Sequence, residues 1–118
     1  MNVLIVDDNQ AAADLLQELL ELQDHTARCT YTGQGALDLA AGERFDAALV
    51  DLTLPDLSGV EVARRLRSNA QGEPPLLVAI SGFSAGEARD AEGVFDHHLQ
   101  KPIDFDLLDR ILARPVVG

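Results

Sequence analysis

The apolar pattern of the chain predicts an α/β domain built on a five-stranded parallel sheet. Three observations predict it: short uninterrupted apolar runs, amphipathic stretches between them, and regular alternation of the two along 118 residues. Residues 3–6, 47–50 and 76–80 are apolar runs that stop at polar residues, as strands covered on both faces do. Strands alternating with helices pair in parallel through right-handed crossovers, which place helices on both faces of the sheet.

The elements follow in order. After the first strand, Ala12, Leu15, Leu16, Leu19, Leu20 and Leu22 recur at helical spacing and predict a helix over residues 10–23, with Asp8 or Asn9 as its cap. Residues 27–31 form a weaker strand nearer an edge, and Ala36, Leu37 and Ala40 mark a short helix over 34–41. The third strand leads to Ser58-Gly59-Val60-Glu61, a capping box opening a helix over 59–69. The fourth leads to Ser84-Ala85-Gly86-Glu87, which repeats that device before a short fourth helix. His97–Gln100 is a weak fifth strand, and Asp104 caps a last helix carrying Leu107, Leu108, Ile111 and Leu112. Five βα units in this length fit the flavodoxin-like (βα)5 class, with strand order 2-1-3-4-5. Residues 1–113 are expected to form this one domain and 114–118 a short C-terminal tail.

Composition narrows the function. Apolar residues make up 47% of the chain, so it can bury a core, and aromatics are only 4%, so aliphatic side chains must build it. The net charge of −11 disfavours nucleic acid and anionic membrane as partners and favours cations and basic protein patches. Cys29 stands alone, which excludes an internal disulfide and suits a reducing compartment; it reads as a small packing residue. No signal peptide is visible, and no apolar run nears the ~18 residues a membrane span needs, so a cytoplasmic location is expected.

Ligands of open α/β sheets sit beyond the carboxyl ends of the strands. Asp7 and Asp8 follow strand 1, Asp51 strand 3, Ser81 strand 4 and Lys101 strand 5. Three carboxylates in one place must take up protons or bind a cation, and an oxygen-seeking Mg²⁺ meets that need. Beside it, the ammonium of Lys101 and the hydroxyl of Ser81 suit the oxygens of a phosphoryl group. Each residue alone reads more simply as a cap, a turn or a surface lysine. The set of five at one sheet edge is what points to a site.

Four segments then carry a resemblance. Val6-Asp7-Asp8-Asn9, the stretch from Val50-Asp51 through Pro55 to Gly59, Ile80-Ser81-Gly82 and Gln100-Lys101-Pro102 are similar to the signature segments of response-regulator receiver domains. The resemblance spans nearly the whole chain. It implies that Asp51 accepts a phosphoryl group from a histidine kinase or histidine phosphotransfer protein. It implies Mg²⁺ held by Asp8, Asp51 and the Thr53 carbonyl, with Asp7 acting through water. Lys101 would pair with the phosphoryl oxygens, Ser81 and the Gly82 backbone would meet them, and Lys101-Pro102 would match a cis peptide. Phosphorylation would reshape the face of helix 4, strand 5 and helix 5 for a downstream protein. His98 stands where the family usually has Tyr or Phe, and the 81–101 segment is shorter than is common. Such a domain is a switch and not an enzyme, catalysing only its own phosphorylation and dephosphorylation.

Other readings are weaker. Asp51-Leu52-Thr53 also resembles the haloacid-dehalogenase phosphatases, but their nucleophile follows the first strand and a cap insert is usual. A degenerate receiver acting only as a binding module is opposed by the intact set of five. His97 and His98 are adjacent on a strand and point to opposite faces, so they do not share a metal readily. Arg64, Arg65 and Arg67 read as a solvated helix face. Gly33-Gln34-Gly35 lacks the third glycine of a dinucleotide motif. No output domain is visible after Leu112, so the chain is expected to be a stand-alone receiver or a piece of a larger protein.

Overall fold

The computed structural model describes residues 1–70, 72–82, 93–101 and 103–113. Its strands are β1 (Asn2–Val6), β2 (Thr26–Thr30), β3 (Ala47–Asp51), β4 (Leu76–Ser81) and β5 (His97–Gln100). The described helices are α1 (Gln10–Leu22), α2 (Gly33–Gly42), α3 (Gly59–Ser68) and α4 (Phe105–Leu112). All strand pairs are parallel and the order is β2-β1-β3-β4-β5, as the sequence predicts. The helix expected from Ser84-Ala85-Gly86-Glu87, Pro102 with its peptide bond, and the tail at 114–118 lie outside the described residues.

The central strands sort their side chains by the two-residue period of a pleated sheet. Val3, Ile5, Leu49, Val78 and Ile80 pack with Leu16 and Leu20 of α1 and Leu108 and Leu112 of α4. Leu4, Val6, Ala48, Val50 and Leu77 pack on the opposite face with Ala36 of α2 and Val62 and Leu66 of α3. Both faces of β1, β3 and β4 are therefore dry, which is why these strands read as unbroken apolar runs.

Boundaries moved by about one residue, with consequences at the site. Asp51 and Ser81 are the last residues of β3 and β4 and do not merely follow them, because Asp51 pairs with Ile80 and Ser81 with Gln100 in the ladder. Gln23 and Asn69 cap α1 and α3 at their C-termini and do not extend them. Asn9, not Asp8, caps α1: its Oδ1 accepts the Ala12 N–H at 3.1 Å. Of the leucines that mark these helices in the sequence, Leu15 and Leu22 of α1 and Leu107 of α4 are exposed. The buried stripe of α1 is made by Ala13, Leu16 and Leu20, with Leu19 half-buried beside it. Ser58 caps α3 through the Glu61 N–H at 3.1 Å, while the Glu61 carboxylate accepts from Arg65 Nε at 3.0 Å.

Candidate functional site

Backbone bonds at the end of the sheet set each site residue in place. Asp7 N–H donates to Thr30 O at 3.1 Å, Leu52 N–H to Ile80 O at 3.0 Å and Lys101 N–H to Ser81 O at 2.8 Å. The side chains of Asp7, Asp51 and Lys101 therefore start from rigid strand ends, the arrangement that gives a site its precision.

Ligand oxygens of Asp7, Asp8 and Asp51 all lie within 4.8 Å of one another. Asp7 and Asp51 are each only 5% exposed, whereas Asp8 is open to solvent. Lys101 Nζ lies 3.0 Å from Asp51 Oδ2 and 3.1 Å from Asp7 Oδ2, bridging the two buried carboxylates. Their other oxygens also accept hydrogen bonds: Asp51 Oδ1 from Thr53 N–H at 2.9 Å, and Asp7 Oδ1 from Asn9 N–H at 2.9 Å.

This geometry shifts two ionisations. Burial pushes the Asp51 carboxyl above its ordinary range, and the Asp7 charge adds to that. The Thr53 N–H and Lys101 oppose the rise without cancelling it. Burial works to lower the Lys101 ammonium, but its bonds to Asp51 and Asp7 outweigh burial and hold it above the usual lysine value. Three carboxylates thus face one ammonium, which leaves an excess of negative charge. Among the described residues this is the one group of three or more metal-ligating side chains. Its donors are all hard carboxylate oxygens, so the set fits a hard divalent cation such as Mg²⁺.

The remaining predicted residues lie around this cluster. Ser81 is 1% exposed at the end of β4, and its carbonyl holds the Lys101 N–H. Gly82 is exposed, with open space where a Cβ would stand. Thr53 is exposed and ties its N–H to Asp51. His98 sits on β5 opposite Ala79, exposed. His97 is exposed too, and Arg64 and Arg65 pair with Glu61 on the outside of α3. Cys29 is half-buried and packs against the core, donating to Gln17 Oε1 at 3.0 Å, and burial pushes its thiol up to about 11.

One residue near the site went unremarked in the sequence. Asp56, in the loop after Asp51, accepts the N–H of Gly33 at 2.8 Å and of Gln34 at 2.9 Å. Its partners are 23 and 22 positions away, so no local pattern announces them.

Comparison with known proteins agrees with this fold. A family model described as "Response regulator receiver domain" matches residues 3–113. The chain belongs to the response regulator receiver domain family. It is 32% identical over 114 residues to response regulator MprA of Mycobacterium avium, covering 97% of this chain and 49% of that protein. The chain thus spans about half the length of the curated relatives it matches. A CheY-like receiver domain from Methylobacillus flagellatus superposes with a TM-score of 0.84 at 38% identity, over 95% of both chains. The response regulator TrrA of Thermotoga maritima shares the fold, with a TM-score of 0.84 at 23% identity over 94% of this chain and 95% of that one. These likenesses support the receiver reading and give no support to the dehalogenase-like one. No helix among the described residues is long and apolar enough to cross a membrane.

Proposed function

We propose that this receiver accepts a phosphoryl group on Asp51 from a histidine kinase or histidine phosphotransfer protein and changes its affinity for a downstream protein as a result. The observation that carries this reading is the clamp at the strand ends. Lys101 Nζ lies about equally close to Asp51 and Asp7, within a carboxylate cluster that a single ammonium does not neutralise.

In the transfer, an Asp51 carboxylate oxygen attacks the phosphorus of a phosphohistidine. The O–P bond forms as the P–N bond breaks, and the imidazole nitrogen keeps the electron pair and takes up a proton. Asp8, Asp51 and the Thr53 carbonyl would hold Mg²⁺ directly, with Asp7 acting through water. When bound, Mg²⁺ supplies the charge that offsets the phosphoryl oxygens. Lys101, already aimed at Asp51, exchanges a carboxylate contact for a phosphoryl oxygen. Ser81 offers its hydroxyl and Gly82 its backbone to the same group, in the segment completed by Lys101-Pro102. The resulting acyl phosphate favours a second packing of the face that includes β5 and α4, where His98 occupies a switch position. The Thermotoga maritima neighbour was solved in complex with Mg(2+)-BeF, which is the arrangement this reading expects here. The working location is the cytoplasm, and the domain acts by binding proteins, not nucleic acid or membrane.

Mass spectrometry after incubation with acetyl phosphate and Mg²⁺ tests the assignment. The wild type is expected to gain one phosphoryl group, chelation of Mg²⁺ to abolish the gain, and Asp51→Asn to remain unmodified. Labelling that persists in Asp51→Asn rejects Asp51 as the acceptor.

A further inference from the structure

The loop between β3 and α3, residues 52–58, carries the Thr53 carbonyl. Its two ends are fixed by backbone: Leu52 N–H donates to Ile80 O at 3.0 Å, and Gly59 N–H returns to Leu52 O at 3.1 Å. These bonds close the loop at its base. They leave the rest of it, from the Thr53–Leu54 peptide that carries this carbonyl to Leu57, to be placed by other contacts.

Asp56 supplies such a contact. Its Oδ1 accepts the Gly33 N–H and its Oδ2 the Gln34 N–H, at 2.8 and 2.9 Å. Two parallel bonds from an ionised carboxylate to successive N–H groups fix direction as well as distance. They also lie at the positive end of the α2 dipole. Consistently, the Gln34 and Gly33 N–H groups hold the Asp56 carboxyl below its usual range although it is exposed. The contact is close-fitting. A Cβ on Gly33 would stand 2.8 Å from Val62 Cγ2, 3.0 Å from Leu57 Cβ and 3.3 Å from Asp56 Oδ1. Helix α2 already has its own N-cap, since Thr32 Oγ1 accepts the Gly35 N–H at 3.0 Å. The Asp56 bonds therefore join two elements and do more than finish one helix.

We infer that Asp56 is a positioning residue for the metal-holding loop: its grip on Gly33 and Gln34 fixes the segment that carries the Thr53 carbonyl and thereby sets Mg²⁺ affinity. This rests on the reading of Asp8, Asp51 and the Thr53 carbonyl as the magnesium ligands. Groups behind a ligand matter because they hold it in the geometry the ion requires, and Mg²⁺ tolerates little departure from octahedral.

Calorimetric titration of Mg²⁺ into the wild type, Asp56→Ala, Asp56→Asn and Thr32→Ala tests the inference, with thermal melts of the metal-free proteins alongside. Thr32→Ala removes the cap bond to Gly35 at the start of the same helix and keeps both N–H partners of Asp56. It is therefore expected to lower the melting temperature while Mg²⁺ affinity stays within about twofold. Asp56→Ala is expected to weaken Mg²⁺ by about tenfold, the lower end of what supporting groups contribute. Asp56→Asn keeps one acceptor oxygen and should fall between, which also covers the case in which the alanine variant does not fold. Unchanged Mg²⁺ affinity in both Asp56 variants overturns the inference, as does an equal loss in Thr32→Ala. A wild type that takes up no Mg²⁺ sinks the magnesium reading itself, a distinct result.

Discussion

Burial penalises a charge on Asp51 and the neighbouring Asp7 adds to the penalty, while the Thr53 N–H and Lys101 favour the charge. The balance leaves the folded-state pKa above the unfolded one, so ionisation of Asp51 works against folding. The stability linked to its proton is complete below the unfolded pKa and is lost as pH rises through the folded pKa. Asp51→Asn removes that charge and keeps an oxygen able to accept the Thr53 N–H, and Lys101 keeps Asp7. In metal-free buffer near pH 7 the variant is therefore expected to be more stable than the wild type by about 1 kcal/mol, the usual scale of a single substitution. The gap should close as pH falls through the raised pKa of Asp51. Denaturant melts of both proteins in chelator across that range check it, and a wild type more stable than the variant at neutral pH contradicts it. A buried carboxylate that is costly to keep ionised in the metal-free protein is also one that gains most from a cation.

At the scale of elements, the start of α3 depends on a missing side chain. A Cβ on Gly59 would stand 2.7 Å from Leu52 Cα and closer still to the Asp51 carbonyl oxygen. Both are backbone atoms of the site and neither can turn aside. Gly59→Ala is expected to push α3 away from the end of β3 and cost about 3 kcal/mol, the upper range for overpacking. Gly42, the last residue of α2, has nothing within 4 Å of its Cβ position. Gly42→Ala is expected to be neutral or to stabilise by up to about 1 kcal/mol through the unfolded chain. Equal effects in urea melts would mean that the close approach at Gly59 is relieved elsewhere. Such contrasts show what the sequence could and could not display. β1, β3 and β4 were legible because both-face burial writes itself as unbroken apolar runs, and the candidate site because Asp7, Asp51 and Ser81 close those runs, with Lys101 after the weaker β5. That Leu15, Leu22 and Leu107 would be exposed was not legible, because helical spacing does not say how many leucines a stripe can bury. The link from Asp56 to Gly33 and Gln34 was invisible because it is a tertiary contact with no local period.

For the whole molecule, 20 acidic residues against 9 basic ones make the folded surface repel itself. Repulsion between exposed charges fades with ionic strength, over a screening length of about 10 Å at 0.1 M salt. The metal-free protein is therefore expected to melt higher as NaCl is raised. Any divalent salt would do the same without a site, so stabilisation by Mg²⁺ alone proves little for so acidic a chain. The distinction lies between diffuse and local binding. The buried Asp7 and Asp51 carboxylates are poorly reached by mobile ions, and a cation that enters among them binds the folded state alone. At a hundredfold excess over its dissociation constant such a ligand adds about 2.7 kcal/mol. At matched ionic strength, MgCl₂ is therefore expected to stabilise the wild type well beyond NaCl, and Asp51→Asn, which lacks one of the carboxylates, to lose most of that increment. An increment equal in both proteins would assign the effect to the acidic surface at large and leave the strand-end cluster without a metal role.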